Sequence, residues 1–118
     1  MQSRLYSWQV GTFISDPEVR RELVPQMVRD FPPTQPAFWR LNEDLLGTLL
    51  RRRSRIPDLR RFTPPVRIVF GARDRNLNSR VALRFAELFP KADLHLLDAR
   101  HYVQVDEPER AGQLINTA

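Results

Sequence analysis

VRIVFGARDRNLNSRVALRFAELFPKADLHLLDARHYVQVD, residues Val66 to Asp106, is the stretch that decides the fold. Val66, Ile68 and Phe70 alternate on one side and Val69 is apolar on the other, which predicts a buried strand over Val66–Phe70 ending at Gly71. Asp74 follows in a short turn past the carboxyl end of that strand, where ligands and catalytic groups collect in open α/β sheets. Asn78 or Ser79 can cap a helix running to Phe89. Its stripe Val81, Phe85 and Leu88, with Ala82, Ala86 and Phe89 alongside, offers a wide apolar face to a sheet. Pro90 closes the helix and Leu94–Leu97 is the next strand. A helix between two strands predicts a right-handed crossover with the strands parallel. Asp74, after the first strand, and His101, after the second, then emerge at the same rim although 27 residues apart.

Outward from this unit the signals are helical. Ser15-Asp16-Pro17-Glu18 is a strong helix start, with a carboxylate cap, proline in the first turn and acid near the positive dipole end. Val19, Leu23 and Met27 continue its stripe, and Pro25 is expected to kink or split it. Phe31-Pro32-Pro33-Thr34-Gln35-Pro36 predicts a rigid extended link. Phe38, Leu41, Leu45 and Leu49, flanked by Trp39 and Leu46, form the best amphipathic pattern in the chain, a helix over about Ala37–Arg53 with one face that something must cover. Leu59 and Phe62 are expected to tuck back before Thr63-Pro64-Pro65 leads into the strand. Met1–Ile14 holds Leu5, Tyr6, Trp8, Val10 and Phe13 without a clear period. At the far end Asp106-Glu107-Pro108-Glu109 starts a short helix carrying Ala111, Leu114 and Ile115, with Asp106 as its cap.

The expected content is about four helices and a two-stranded parallel sheet, in one α/β domain at most for 118 residues. Hydrophobic residues make up 42% and charged residues 28%, as in a globular chain. With no cysteine and two histidines, neither a disulfide nor a zinc site is expected, and no cofactor is. No apolar run reaches membrane-spanning length and the first ten residues lack a signal-peptide core, so the default location is cytoplasmic. The net charge of +5 is concentrated at Arg51, Arg52, Arg53, Arg55, Arg60 and Arg61. A solvated helix end accounts for that patch better than nucleic acid does, because no aromatics interleave the arginines.

IVFGARD followed by LHLLDARHYVQVDEPER resembles the C-terminal part of an α/β-hydrolase, in the branch of haloalkane dehalogenases, epoxide hydrolases and related esterases. The likeness spans about Phe38 to Ile115. It implies that Asp74 is the triad acid and His101 the triad base, in the chain order nucleophile, acid, histidine. It further implies that residues 1–36 are part of a helical cap and 37–118 a C-terminal core segment. Tyr6, Trp8, Phe38 and Trp39 are then candidate pocket residues, with ordinary packing as the plainer reading of each. Asp98 competes with Asp74 for His101, and His95 reads as a strand-face residue. The residue before the histidine, often Gly in this family, is Arg100. No G-x-S-x-G or G-x-D-x-x-G nucleophile elbow and no His-Gly oxyanion segment occurs. The expectation is a truncated hydrolase, inactive alone, whose complete fold acts on a small ester, epoxide or haloalkane. The alternative is a non-catalytic remnant or interaction module. Self-association, or pairing with a complementary N-terminal fragment, is expected in the first case.

Overall fold

The computed structural model describes residues 2–117, apart from the side chains of residues 2, 3 and 41. Its order is α1 (Gln2–Gly11), α2 (Pro17–Glu43), α3 (Leu45–Ser54), α4 (Ile56–Arg60), β1 (Val66–Gly71), α5 (Ser79–Ala86), β2 (Ala92–Leu97), α6 (Val103–Asp106) and α7 (Pro108–Asn116). The class is α/β, with a two-stranded sheet in which β1 and β2 run parallel from Val66↔Ala92 to Gly71↔Leu97. Seven helices stand among the described residues where about four were expected, because the apolar lead-in folds as α1 and short turns form α4 and α6.

The pleat sends Arg67, Val69, Asp93, His95 and Leu97 to one face of the sheet and Val66, Ile68, Phe70, Leu94 and Leu96 to the other. On the first face α7 packs Ala111 and Leu114 against Leu97, Ala99 and Val69. Arg67 reaches the carbonyl of Leu114 and the Thr117 hydroxyl, fastening β1 to the end of that helix. His95 lies on this face too, with Nε2 2.8 Å from Asp93. The opposite face is approached by α5, whose N-cap Asn78 accepts from the amide of Arg80. The buried residue of α5 is Ala82, while Val81 and Phe85 are exposed. The predicted stripe is thus rotated, and the smallest side chain faces inward where helix and strands approach.

One expectation about the prolines is overturned, that of an extended link over Phe31–Pro36, and of the kink or split expected at Pro25 the split does not occur. α2 is not split at Pro25, and it continues through Phe31–Pro36, where an extended link was expected, with Pro25, Pro32, Pro33 and Pro36 all inside it. Proline's fixed φ is compatible with a helix; its cost lies in the missing donor and in crowding of the carbonyl four residues back. Here all four prolines are exposed, and the Thr34 hydroxyl donates to the Phe31 carbonyl at 2.8 Å. Phe31 is further held by a stacked Tyr6 ring 4.1 Å away and by Phe38 at 6.0 Å. α2 therefore crosses the expected junction at 36/37 without a break. The single helix expected over Ala37–Arg53 is instead divided at Asp44 between the end of α2 and α3.

α3 and α4 contain no buried residue. Phe38, Leu45 and Leu49 of the predicted stripe are all more than two-fifths exposed, and the Leu41 side chain lies outside the described set. The radius of gyration, 16.5 Å, reflects this arm; a compact chain of this length has about 13.5 Å. No helix among the described residues is long and apolar enough to cross a membrane.

Candidate active site

The turn after β1 and the loop after β2 are pressed together at one glycine. A Cβ on Gly71 would lie 2.0 Å from the Arg100 carbonyl oxygen and 2.5 Å from that of Ala99, so only a residue without a side chain permits the approach. The two segments are also bonded, Ala72 N donating to Leu97 O at 2.7 Å and Arg73 N to Ala99 O at 2.9 Å. Parallel pairing followed by this stitch brings Asp74 and His101 to one rim.

They meet there. His101 Nδ1 lies 2.7 Å from Asp74 Oδ2. A carboxylate only accepts, so Nδ1 carries the proton and the lone pair of the neutral ring sits on Nε2. Nε2 makes no hydrogen bond to any described residue, and the histidine side chain remains 30% exposed while that of Asp74 is 3% exposed. Asp74 Oδ1 accepts from the amides of Asn76 at 2.7 Å and Leu77 at 3.1 Å. Burial works against the charge on Asp74, but the bonds from His101, Leu77 and Asn76 outweigh it and hold the carboxyl below its ordinary value. The result is a fixed anion, a ring oriented by it, and one unengaged ring nitrogen.

The competing acid is committed elsewhere. Asp98 pairs with Arg73, at 2.8 Å from Nε to Oδ1, and its carbonyl accepts from the same guanidinium. His95 stays on the strand face with Asp93 and Arg67, as read from its alternation. Asp106 differs from its expected role as cap of the last helix. It is the final residue of α6, and it accepts from Ser15 N at 2.7 Å, Ser15 Oγ at 2.6 Å and Arg100 N at 2.7 Å. Burial opposes its charge, and the bonds from Ser15 and Arg100 with the nearby Arg73 overcome that and lower its pKa.

Asp106 thereby clamps the α1–α2 loop to the histidine loop. Tyr102 N donates to Phe13 O at 3.1 Å within the same clamp. The Phe13 ring then lies 4.7 Å from the His101 ring, centroid to centroid, with Tyr102 at 5.6 Å. Sequence reasoning missed Phe13, Ser15 and this role of Asp106; Phe13 stands in an aperiodic stretch, and its partner is almost ninety residues away. Beside these rings is a cavity of about 470 Å³ lined by Tyr6, Phe13, Phe31, Phe38 and Tyr102 among others. Of the candidate pocket aromatics, Tyr6 and Phe38 line it, whereas Trp8 faces other cavities. No group of three metal-ligating side chains occurs among the described residues.

No family model matches the sequence, and no curated protein matches it significantly. Among solved structures, the chain is similar to MGS-MChE2, an alpha/beta hydrolase enzyme from the metagenome of sediments from the lagoon of Mar Chica, Morocco. Identity is 25% and the TM-score 0.52, covering 76% of this chain. The chain spans 42% of the length of that hydrolase, and the likeness supports a hydrolase-like fold of the α/β superfamily.

Proposed function

We propose that this chain carries the acid–base half of an α/β-hydrolase active site, with His101 as base and Asp74 as its orienter. The observation that carries the reading is the 2.7 Å bond from His101 Nδ1 to a buried carboxylate, with Nε2 left unengaged at the rim of two parallel strands. In such a site Nε2 accepts a proton from a nucleophilic hydroxyl, or from the water that resolves an ester intermediate, while Asp74 stabilises the imidazolium. The nucleophile and oxyanion donors come from a segment that lacks a counterpart in residues 1–118, so the chain alone is expected to be inactive. Esters, epoxides and haloalkanes are the substrate classes, with α1 and the first part of α2 acting as cap and the βαβ unit as core.

The chain is to be assayed on nitrophenyl esters, a simple epoxide and a haloalkane, alone and with a polypeptide supplying a strand–elbow–helix nucleophile. Negligible turnover alone and turnover with the partner that disappears in His101→Ala are expected. Turnover with the partner that survives His101→Ala defeats the assignment. Robust turnover by the chain alone, lost in His101→Ala, means that the nucleophile is already within it.

A second reading, an interaction module without chemistry, draws support from the exposed surface. The accessible area is 9320 Å² for 13.9 kDa, whereas a compact monomer of that mass exposes about 6,700 Å². The exposed surface includes Leu45, Leu46, Leu49 and Leu50, at 51–72% exposed. β1 pairs with β2 alone among the described strands, which leaves an edge that invites another strand. Both readings have a partner cover exposed apolar surface or the free strand edge. They differ on whether His101→Ala changes anything but packing.

A further inference from the structure

The arginines around the α1–α2 loop are arranged in a way that the acid–base pair does not use. The Arg20 guanidinium donates from one terminal nitrogen to Ile14 O at 2.8 Å and Ser15 O at 3.2 Å. Its stem lies over Gly11, where an added Cβ would stand 3.6 Å from Arg20 Cδ. Arg100 donates to the same Ile14 oxygen at 3.4 Å. Two like charges thus converge on one carbonyl. Neither is in an ion pair among the described residues, nor is Arg21, one position further along α2. Asp106, bonded to the Arg100 amide, has its oxygens engaged by that amide and by Ser15. Arg20 Nε is also the single buried side-chain polar atom without a partner among the described residues. A buried guanidinium nitrogen without an acceptor is costly, and it adds to the uncompensated charge of this cluster.

These groups border a cavity of about 660 Å³ between α1 and the start of α2. Arg20, Arg21 and Arg100 supply its charge, Thr12 and Ser7 supply hydroxyls, and Trp8, 69% exposed, forms an apolar wall. No acidic side chain among the described residues lines it. From this arrangement we infer a binding site for an oxyanion carried on a flat apolar group, an aryl phosphate or aryl carboxylate. The anion balances the converging guanidinium groups through charge-assisted hydrogen bonds, and the ring lies against Trp8. The site is lined by other residues than the aromatic cavity beside His101, and Arg100, which lines the site, directly precedes His101 in the loop. The arginine that replaces the family's usual glycine before the histidine thereby acquires a role.

The test is fluorescence titration in a Trp39→Phe background, which leaves Trp8 as the reporter. Phenyl phosphate, benzoate, inorganic phosphate and neutral benzamide are the probes. Phenyl phosphate or benzoate should quench Trp8 saturably and less tightly at high salt, benzamide should not, and whichever aryl anion binds tighter identifies the headgroup. Inorganic phosphate should compete without quenching. Arg21→Ala should weaken binding about five- to tenfold, with Arg21→Lys recovering part of it. Arg21 is exposed, so an unchanged urea midpoint separates this loss from unfolding. The inference is overturned by benzamide binding as well as phenyl phosphate, by Arg21→Ala without effect, or by absence of saturation below about 10 mM, weaker than a fragment-sized site.

Discussion

The two ends of α2 lie in opposite kinds of surroundings. Its N-terminal end leaves a loop tied to the histidine loop by Asp106, by the Tyr102 amide and by packing of Val10, Ile14 and Val24 against Tyr102 and Val105. Its C-terminal end runs into α3 and α4, which contain no fully buried residue. Position is fixed where the part-buried carboxylate of Asp106 gathers donors from a distant segment, because undoing any one bond leaves a part-buried polar group without its partner. Where contacts are only exposed ion pairs and solvated leucines, the sequence determines a helix without determining a neighbour.

The sharpest break in this contrast is Gly71→Ala. The new methyl would overlap the Arg100 and Ala99 carbonyls, so β1 and the histidine loop must separate; a loss of about 3 kcal/mol or more is expected in a urea melt. Asp106→Ala comes next, leaving three donors without an acceptor, with an expected cost of about 2–3 kcal/mol. It should also release Phe13 from His101, visible as a shift of the His101 ring protons in NMR.

Acid should unpick the same region first. Asp74 and Asp106 both have folded pKa values below their unfolded ones. The folded state therefore binds fewer protons, and the stability these groups supply is fully present above about pH 4–5 and lost as pH falls through the lowered values. The urea midpoint should drop on acidification, and Asp74→Asn with Asp106→Asn should flatten that drop. In the arm, Leu46→Glu with Leu50→Glu should reduce self-association seen by light scattering while changing stability by less than about 0.5 kcal/mol. Smallest of all, Asp44→Asn removes the exposed pair with Arg51 and should leave the urea midpoint where it was.

What was legible in the sequence was local. Alternation gave β1 and β2, Asn78 gave the start of α5, and the two loops gave Asp74 and His101 at one rim. The rest depends on contacts between distant residues. A proline penalty is visible at Pro32 and Pro33, but the Tyr6 ring that stacks on Phe31 is not. An acid before Glu-Pro looks like a cap, and nothing near Asp106 announces Ser15. The rotation of α5 onto Ala82 follows from how closely a helix approaches a sheet, which periodicity cannot supply.

The bonds between Ser15 and Asp106 join positions 91 apart. During synthesis, α1 and the first turns of α2 emerge long before the residue that holds them to the histidine loop. Pairing of β1 with β2, only 26 residues apart, can precede it. Long-range closures form late when loop entropy must be overcome before any contact rewards it. The order of assembly is then sheet first and clamp second, so the seating of Phe13 against His101 is among the final events of folding and one of the first to reverse when the chain begins to open.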